Sequence, residues 1–214
     1  MTIFDAFYQA ANPQKAIAME AYMRNQFKFL GIRAPERKIL TRDFLKTIDR
    51  ATIDWEFVQQ CWEKDEREFQ YLAIAYLTKV KQRLTVEDIP RLRQLIVTKS
   101  WWDTIDSLDK LVGYVALHHP TVEATLLDWS TDDNIWLRRV AIDHQILRKE
   151  QTNPVLLEKI ICHNFGQNEF FINKAIGWSL RDYSKTNPEW VKTFIARHQD
   201  QMAPLSIREA SKYI

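Results

Sequence analysis

From one end of this chain to the other, apolar residues recur at the three- and four-residue spacing of a helix face, and no segment sustains the period-two alternation of a strand. Helix starts are marked just as clearly. Asn12-Pro13, Asn153-Pro154 and Asn187-Pro188 each set a capping side chain before a proline at the first helical position. Ala34-Pro35-Glu36 uses the same device without a side-chain cap. Thr85-Val86-Glu87-Asp88 and Ser100-Trp101-Trp102-Asp103 resemble capping boxes with Asp in place of Glu, and Asp133-Asn134 precedes another apolar run. The pattern predicts helices near 2–11, 13–29, 35–49, 54–63, 67–82, 86–98, 101–118, 120–130, 134–149, 154–164, 168–185, 188–197 and 205–213. Only 4 glycines occur in 214 residues, too few for glycine-rich cradle loops or many tight hairpins.

Short helices joined by short loops point to repeats. The strings beginning at Phe69, Trp102, Leu137 and Ile172 fall into approximate register, at a spacing of roughly 34 residues that suits a two-helix unit. Stacked, such units form a curved solenoid whose second helices line a concave face. No Pro-, Gly- or Ser-rich linker divides the chain, so residues 1–214 are expected to form a single helical-repeat domain.

The bulk properties exclude several classes. No stretch approaches the ~20 apolar residues of a membrane span, and the N-terminus lacks the basic and apolar regions of a signal peptide. The two cysteines, Cys61 and Cys162, lie far apart and suit a reducing compartment; a cytoplasmic monomer is expected. The five histidines show no metal spacing, with His144, His163 and His198 isolated, so no metal is expected. Nor does any nucleotide-binding or nucleophile-elbow motif occur, and no cofactor is expected.

Net charge is only +2, but charge is segregated. Residues 24–50 carry eight Lys/Arg against three acids, whereas 101–133 carry seven acids and a single lysine, Lys110. Charge alone favours ordinary solvated helix faces; the sharper reading is a basic concave surface formed by the first and last thirds, flanking an acidic site in the middle.

Three helices repeat one theme, a tryptophan with a charged residue one turn later: Trp102 with Asp106, Trp136 with Arg139, and Trp178 with Arg181. In a stack these pairs place aromatic rings, one carboxylate and two guanidiniums on one wall. The alternatives are local. A tryptophan at helical spacing is commonly core, Asp106 can pair with Lys110 at i, i+4, and Arg139 can simply cover a helix surface. Trp55, Trp62, Trp129 and Trp190 read as core or near-core.

The strings Ser100-Trp101-Trp102-Asp103-Thr104-Ile105-Asp106, Asp133-Asn134-Ile135-Trp136-Leu137-Arg138-Arg139 and Lys174-Ala175-Ile176-Gly177-Trp178-Ser179-Leu180-Arg181 resemble the AlkD family of bacterial DNA alkylation repair glycosylases. The resemblance runs from about Asn12 to Ser206. It implies an all-α, right-handed HEAT-like solenoid of stacked antiparallel helix pairs with a concave basic face. It further implies a monofunctional glycosylase that removes cationic N3- and N7-alkylated purines from double-stranded DNA, leaves an abasic site and keeps the lesion stacked in the duplex. Carried over residue by residue, the catalytic aspartate falls on Asp106, the sugar-facing tryptophans on Trp102 and Trp178, and the DNA contacts on Tyr22, Arg139 and Arg181. Relatives often continue beyond the position of Ile214 with a short basic tail that contacts DNA. A DNA-binding solenoid without activity, or a protein-interaction scaffold, are the competing classes; neither requires the Asp106, Trp102 and Trp178 set.

Overall fold

The helical starts are filled as their local chemistry dictates. Asn12, Asn153 and Asn187 accept from the amides of Lys15, Leu156 and Trp190, and Asn134 accepts from both Trp136 and Leu137. Each such cap supplies about 1 kcal/mol. The structure, a computed structural model, describes residues 2–214. Its contacts divide the chain into two units, Met1–Leu84 and Thr85–Ile214. All extended elements are helical among the described residues, with one isolated bridge between Lys28 and Glu66.

The N-terminal unit holds α1 (Ile3–Gln9), α2 (Pro13–Tyr22), α3 (Ala34–Thr47), α4 (Trp55–Glu63) and α5 (Arg67–Val80). Its core is aromatic: Phe69 packs against Phe4, Phe7 and Tyr8, while Phe57 packs against Phe4, Phe44 and Tyr76. Helix α2 is shorter than the predicted 13–29. Arg24 and Asn25 turn left-handed, with φ of 56° and 55°, and the chain then leaves the helix, Lys28 forming the isolated bridge with Glu66. Glu68, fully buried at the start of α5, accepts the consecutive amides of Leu30, Gly31 and Ile32 at 3.0, 2.9 and 3.0 Å. A helical run to residue 29 would withdraw part of that segment from the carboxylate. Gly31 is required twice over there: its φ is +87°, and a Cβ would sit 2.1 Å from the Asn12 carbonyl oxygen.

The C-terminal unit begins with a 3₁₀ turn capped by Thr85 and Asp88 in the expected reciprocal box. It continues with α6 (Ile89–Val97), α7 (Trp102–His118), α8 (Val122–Trp129), α9 (Ile135–Asp143), α10 (Pro154–Cys162), α11 (Phe170–Ser184), α12 (Pro188–His198) and α13 (Pro204–Ala210). The even-numbered helices alternate with a row in which α7 packs on α9, α9 on α11 and α11 on α13. The register strings at Trp102, Leu137 and Ile172 head the first three members of that row. Each helix repeats its neighbour's setting, so residues about 33–35 positions apart face one another across the row, as in the pairs Asp106–Arg139 and Lys174–Glu209.

Two further expectations are corrected. Ser100 does not cap α7: its hydroxyl donates to the Ile96 carbonyl, and Trp101 stands at the cap with no side-chain hydrogen bond to the helix. Helix α9 stops at Asp143 rather than 149, because Leu147 and Lys149 adopt φ of 72° and 54°. The Leu147 amide donates instead to Asp182 Oδ2 at 2.6 Å. The tryptophans read as core or near-core are so: Trp62 and Trp129 are buried, while Trp55 and Trp190 are partly covered, Trp190 stacking on Phe194.

Candidate active site

The stacked row positions the site. Asp106 lies one turn into α7, Arg139 and Asp143 lie one turn apart on α9, and Trp178 lies midway along α11. Arg139 is 1% exposed, and both its Nε and its Nη2 donate to the same Asp106 oxygen, Oδ1, at 2.9 and 2.7 Å. Its Nη1 donates to the Phe171 carbonyl at 2.6 Å. The guanidinium is thereby fixed in orientation and in turn fixes the carboxylate. Asp106 is a quarter exposed, and its Oδ2 accepts no hydrogen bond among the described residues. Lys110 does not pair with this carboxylate; its ammonium donates to the Asp106 carbonyl and approaches Asp109.

Burial raises Asp106 above the ordinary carboxylate value, against the pull of Arg139. Burial also opposes the charge on Arg139, but Asp143 and then Asp106 more than offset it and keep the guanidinium cationic. Behind this pair lie two deeper acids. Burial pushes Asp109 to about 6 and Asp143 to about 8. Asp143 Oδ2 sits 3.7 Å from Arg139 Nη2, beyond hydrogen-bond length, and its Oδ1 is buried without a partner. Burial thus favours the protonated form of Asp143, and its 3.7 Å separation leaves the hydrogen bonds of Arg139 Nε and Nη2 to Asp106.

Asp106 and Trp178 together line two adjoining clefts. One, of about 230 Å³, is walled by Trp102, Phe170, Phe171 and Trp178, with Arg139 and Lys174 beside them. The other, of about 170 Å³, is lined by Asp106, Asp109, Asp143, Trp178, Arg181 and other polar residues. Three cations surround the Trp178 ring: Arg139 at 5.2 Å, Lys174 at 5.6 Å and Arg181 at 5.9 Å from its centroid.

The structure thus gathers Asp106, Trp102, Trp178, Arg139 and Arg181 as the sequence pattern anticipates, with two differences. Trp136 is not on the wall; it is buried against Trp101 and Phe171, with ring centroids 5.7 and 5.0 Å away. Arg139 does not present its guanidinium to solvent as a flanking-phosphate contact would, because it is buried, with each of its three nitrogens donating to Asp106 or Phe171. Tyr22 belongs to the N-terminal unit. It is 70% exposed and lines a 370 Å³ hollow with Lys15, Arg33, Arg37 and Tyr71. The sequence pattern does not mark Asp109, Asp143 or Lys174 as site residues. Asp143 follows Arg139 by four, a spacing that signals a helix-face pair.

The described residues bring together one group with metal-ligand chemistry. Glu158, Cys162 and His198 lie within 4.8 Å of one another, so His198 is not isolated. Arg197 and His198 both contact Glu158 Oε1, at 2.7 and 3.1 Å, so that oxygen already has its counter-charge. His144 is buried, its Nδ1 lies 2.6 Å from the Ala141 carbonyl, and burial lowers it to about 3, which keeps it neutral. Both cysteines are free thiols.

Residues 3–214 match the family model described as DNA alkylation repair enzyme. This chain belongs to the DNA alkylation repair enzyme family. A solved structure described as a predicted DNA alkylation repair enzyme from Enterococcus faecalis is 39% identical, with a TM-score of 0.87 over 95% of this chain and 96% of that one. Two Streptococcus mutans structures, smu.31 and AlkD2, share the fold at 16% and 17% identity, both with a TM-score of 0.62 over 84% of this chain. They are covered over 98% and 89% of their own lengths. No curated protein matches. No helix among the described residues of this family member is long and apolar enough to cross a membrane.

Proposed function

We propose that the protein is a monofunctional glycosylase that hydrolyses the N-glycosidic bond of cationic N3- and N7-alkylated purines in double-stranded DNA. The observation that carries this reading is the Asp106 carboxylate. One of its oxygens is locked by two Arg139 donors, the other accepts no hydrogen bond among the described residues, and the carboxylate lines both clefts together with Trp178, one of them also walled by Trp102.

An alkylated purine already bears positive charge and needs little acid assistance to leave. As the C1′–N bond breaks, its electron pair neutralises the departing base and positive charge moves to the deoxyribose. A fixed carboxylate at that point stabilises the developing charge without reorganising. The faces of Trp102 and Trp178 present negative quadrupole to the same cation. Water adds its oxygen to C1′ and passes a proton through Asp106 Oδ2 to solvent, leaving an abasic sugar. Arg139 acts through Asp106, as a positioning residue, and Arg181 takes the role of phosphate contact. Tyr22, with the basic hollow around it, contacts DNA from the N-terminal unit. The absence of a deep enclosed pocket among the clefts around Asp106 suits attack from the backbone side, with the base left stacked. The protein acts as a monomer and needs neither metal nor nucleotide cofactor.

The test is release of free methylpurines from N-methylated duplex DNA in the presence of a chelator. Release by the native protein and its loss in a folded Asp106→Asn variant are expected. Binding of lesion-bearing duplex without release would instead favour a damage-binding protein with no catalytic step.

A further inference from the structure

The α13 residue Glu209 gathers three cations. Its Oε1 accepts from Lys174 at 2.8 Å, and its Oε2 accepts from Arg181 at 2.8 Å and from Lys212 at 2.7 Å. The Glu209 side chain is 5% exposed, whereas Lys174, Arg181 and Lys212 remain 23%, 26% and 46% exposed. The carboxylate is therefore inside and the cations are outside it. One negative charge against three positive ones leaves a local surplus of two.

The backbone is shaped for this contact. Gly177, the residue before Trp178, faces α13 so closely that a Cβ would lie 2.4 Å from the Glu209 Cβ and 3.1 Å from the Ser206 carbonyl oxygen. The Ser206 hydroxyl donates to the Asn173 carbonyl at 2.8 Å, which pins α13 to α11 one turn away. The hydrogen bonds from Lys174 and Lys212 hold the Glu209 carboxyl down at about 2, so the charge is permanent in any working pH range. Arg181 uses only Nη1 for Glu209; its other guanidinium nitrogens donate to nothing else among the described residues. Lys174 and Arg181 also flank the Trp178 ring.

We propose that Glu209 is a positioning residue that assembles Lys174, Arg181 and Lys212 into one anion-binding site, which takes a DNA backbone phosphate beside the sugar held at Trp178. The inference rests on the glycosylase reading for the identity of the anion. Three long cationic side chains this close together would splay apart by mutual repulsion and rotamer entropy. A buried counter-charge holds their stems while their remaining donors face outward. A phosphodiester then meets a preformed cluster, and its register fixes the sugar with respect to Asp106.

The experiment is the salt dependence of affinity for a lesion-free duplex, read by fluorescence anisotropy between about 50 and 200 mM salt. Native protein, Glu209→Gln, Lys212→Ala and the double variant are compared, each with its melting temperature. Every phosphate that the protein ceases to neutralise makes the slope of log affinity against log salt shallower by about 0.9. Glu209→Gln is expected to weaken binding about fivefold or more and to make the slope shallower by about one unit. Lys212→Ala, at an exposed position that does not threaten the fold, should flatten the slope by itself and add little in the Glu209→Gln background. An unchanged slope in Glu209→Gln or in Lys212→Ala overturns the proposal. Tighter binding by Glu209→Gln also overturns it, because Glu209 would then mask the cations rather than arrange them. Methylpurine release by the native protein is measured in parallel. Its absence would count against the glycosylase reading, while the slopes judge the phosphate site independently.

Discussion

Arg67 and Glu68 in the N-terminal unit, and Asp106, Arg139 and Asp143 in the C-terminal unit, are both clusters of charged side chains drawn out of water. They are satisfied to very different degrees. Glu68 is wholly buried and spends its carboxylate on three successive backbone amides, and the Arg67 guanidinium lies 3.8 Å from the centre of the Phe27 ring. Nothing there is left over to act on a substrate. In the C-terminal cluster, among the described residues, Asp106 Oδ2 accepts no hydrogen bond and Asp143 Oδ1 is buried with no partner. A buried charge that is fully met by hydrogen bonds fixes a chain segment. One that is partly met costs stability, and its retention points to a chemical task.

Glu68→Ala leaves three buried amides unmet, at about 1–3 kcal/mol each. We expect a loss of at least about 3 kcal/mol in chemical denaturation, with little change in activity per folded molecule in mild conditions. Asp106→Asn should weigh on activity instead: the amide oxygen can still accept from Arg139, so the fold persists with some loss of stability as the buried guanidinium loses a counter-charge, while single-turnover excision falls by about 10²-fold or more, the scale of a preorganised electrostatic contact. If excision persists, the two clusters do not differ in kind.

Asp143 sharpens the contrast through pH. Its folded-state value is raised to about 8, so between the ordinary carboxylate value and pH 8 the native state holds a proton that the unfolded state has released. This contribution is fully present below the ordinary value and is lost as pH rises through about 8. Stability should therefore decline with rising pH across that window, by at most about 1.4 kcal/mol per pH unit. Asp109, raised to about 6, adds to the lower part. Asp143→Asn carries no titrating proton there and should flatten the upper part of the curve; an unchanged slope would show that Asp143 ionises normally. The smallest effect is expected at Tyr22, which is 70% exposed. Tyr22→Ala should move stability by less than about 0.5 kcal/mol. It should weaken duplex binding by less than about tenfold, the scale of one contact among many, and no change at all would remove Tyr22 from the interface.

Much of the molecule is legible because its signals are local. The Asn-Pro starts, the capping box at Thr85 and the helix faces at Trp102, Leu137 and Ile172 depend on residues within a turn or two of each other. The family motifs likewise mark Asp106, Trp102 and Trp178, and the row of α7, α9 and α11 brings those residues together. The pattern misleads where distant groups intervene. Helix α2 stops early because Glu68 claims the amides of residues 30–32. Helix α9 stops early where Asp182 claims the Leu147 amide. Trp136 and Trp178 stand at the same spacing from an arginine, yet one is packed among aromatics and the other lines the clefts.

Where most helices begin, which residues share a face and which motifs tie the chain to its family can be read from the order of residues alone, because those are matters of spacing along one helix. Packing between helices set the rest: Arg139 is locked behind Asp106, Asp143 is buried beside it, and Glu209 gathers three cations near Trp178. Each of those outcomes depends on groups 28 to 35 residues apart, or on how much water the packing excludes from them. Desolvation and convergence are properties of the stacked row, and no single helix carries them.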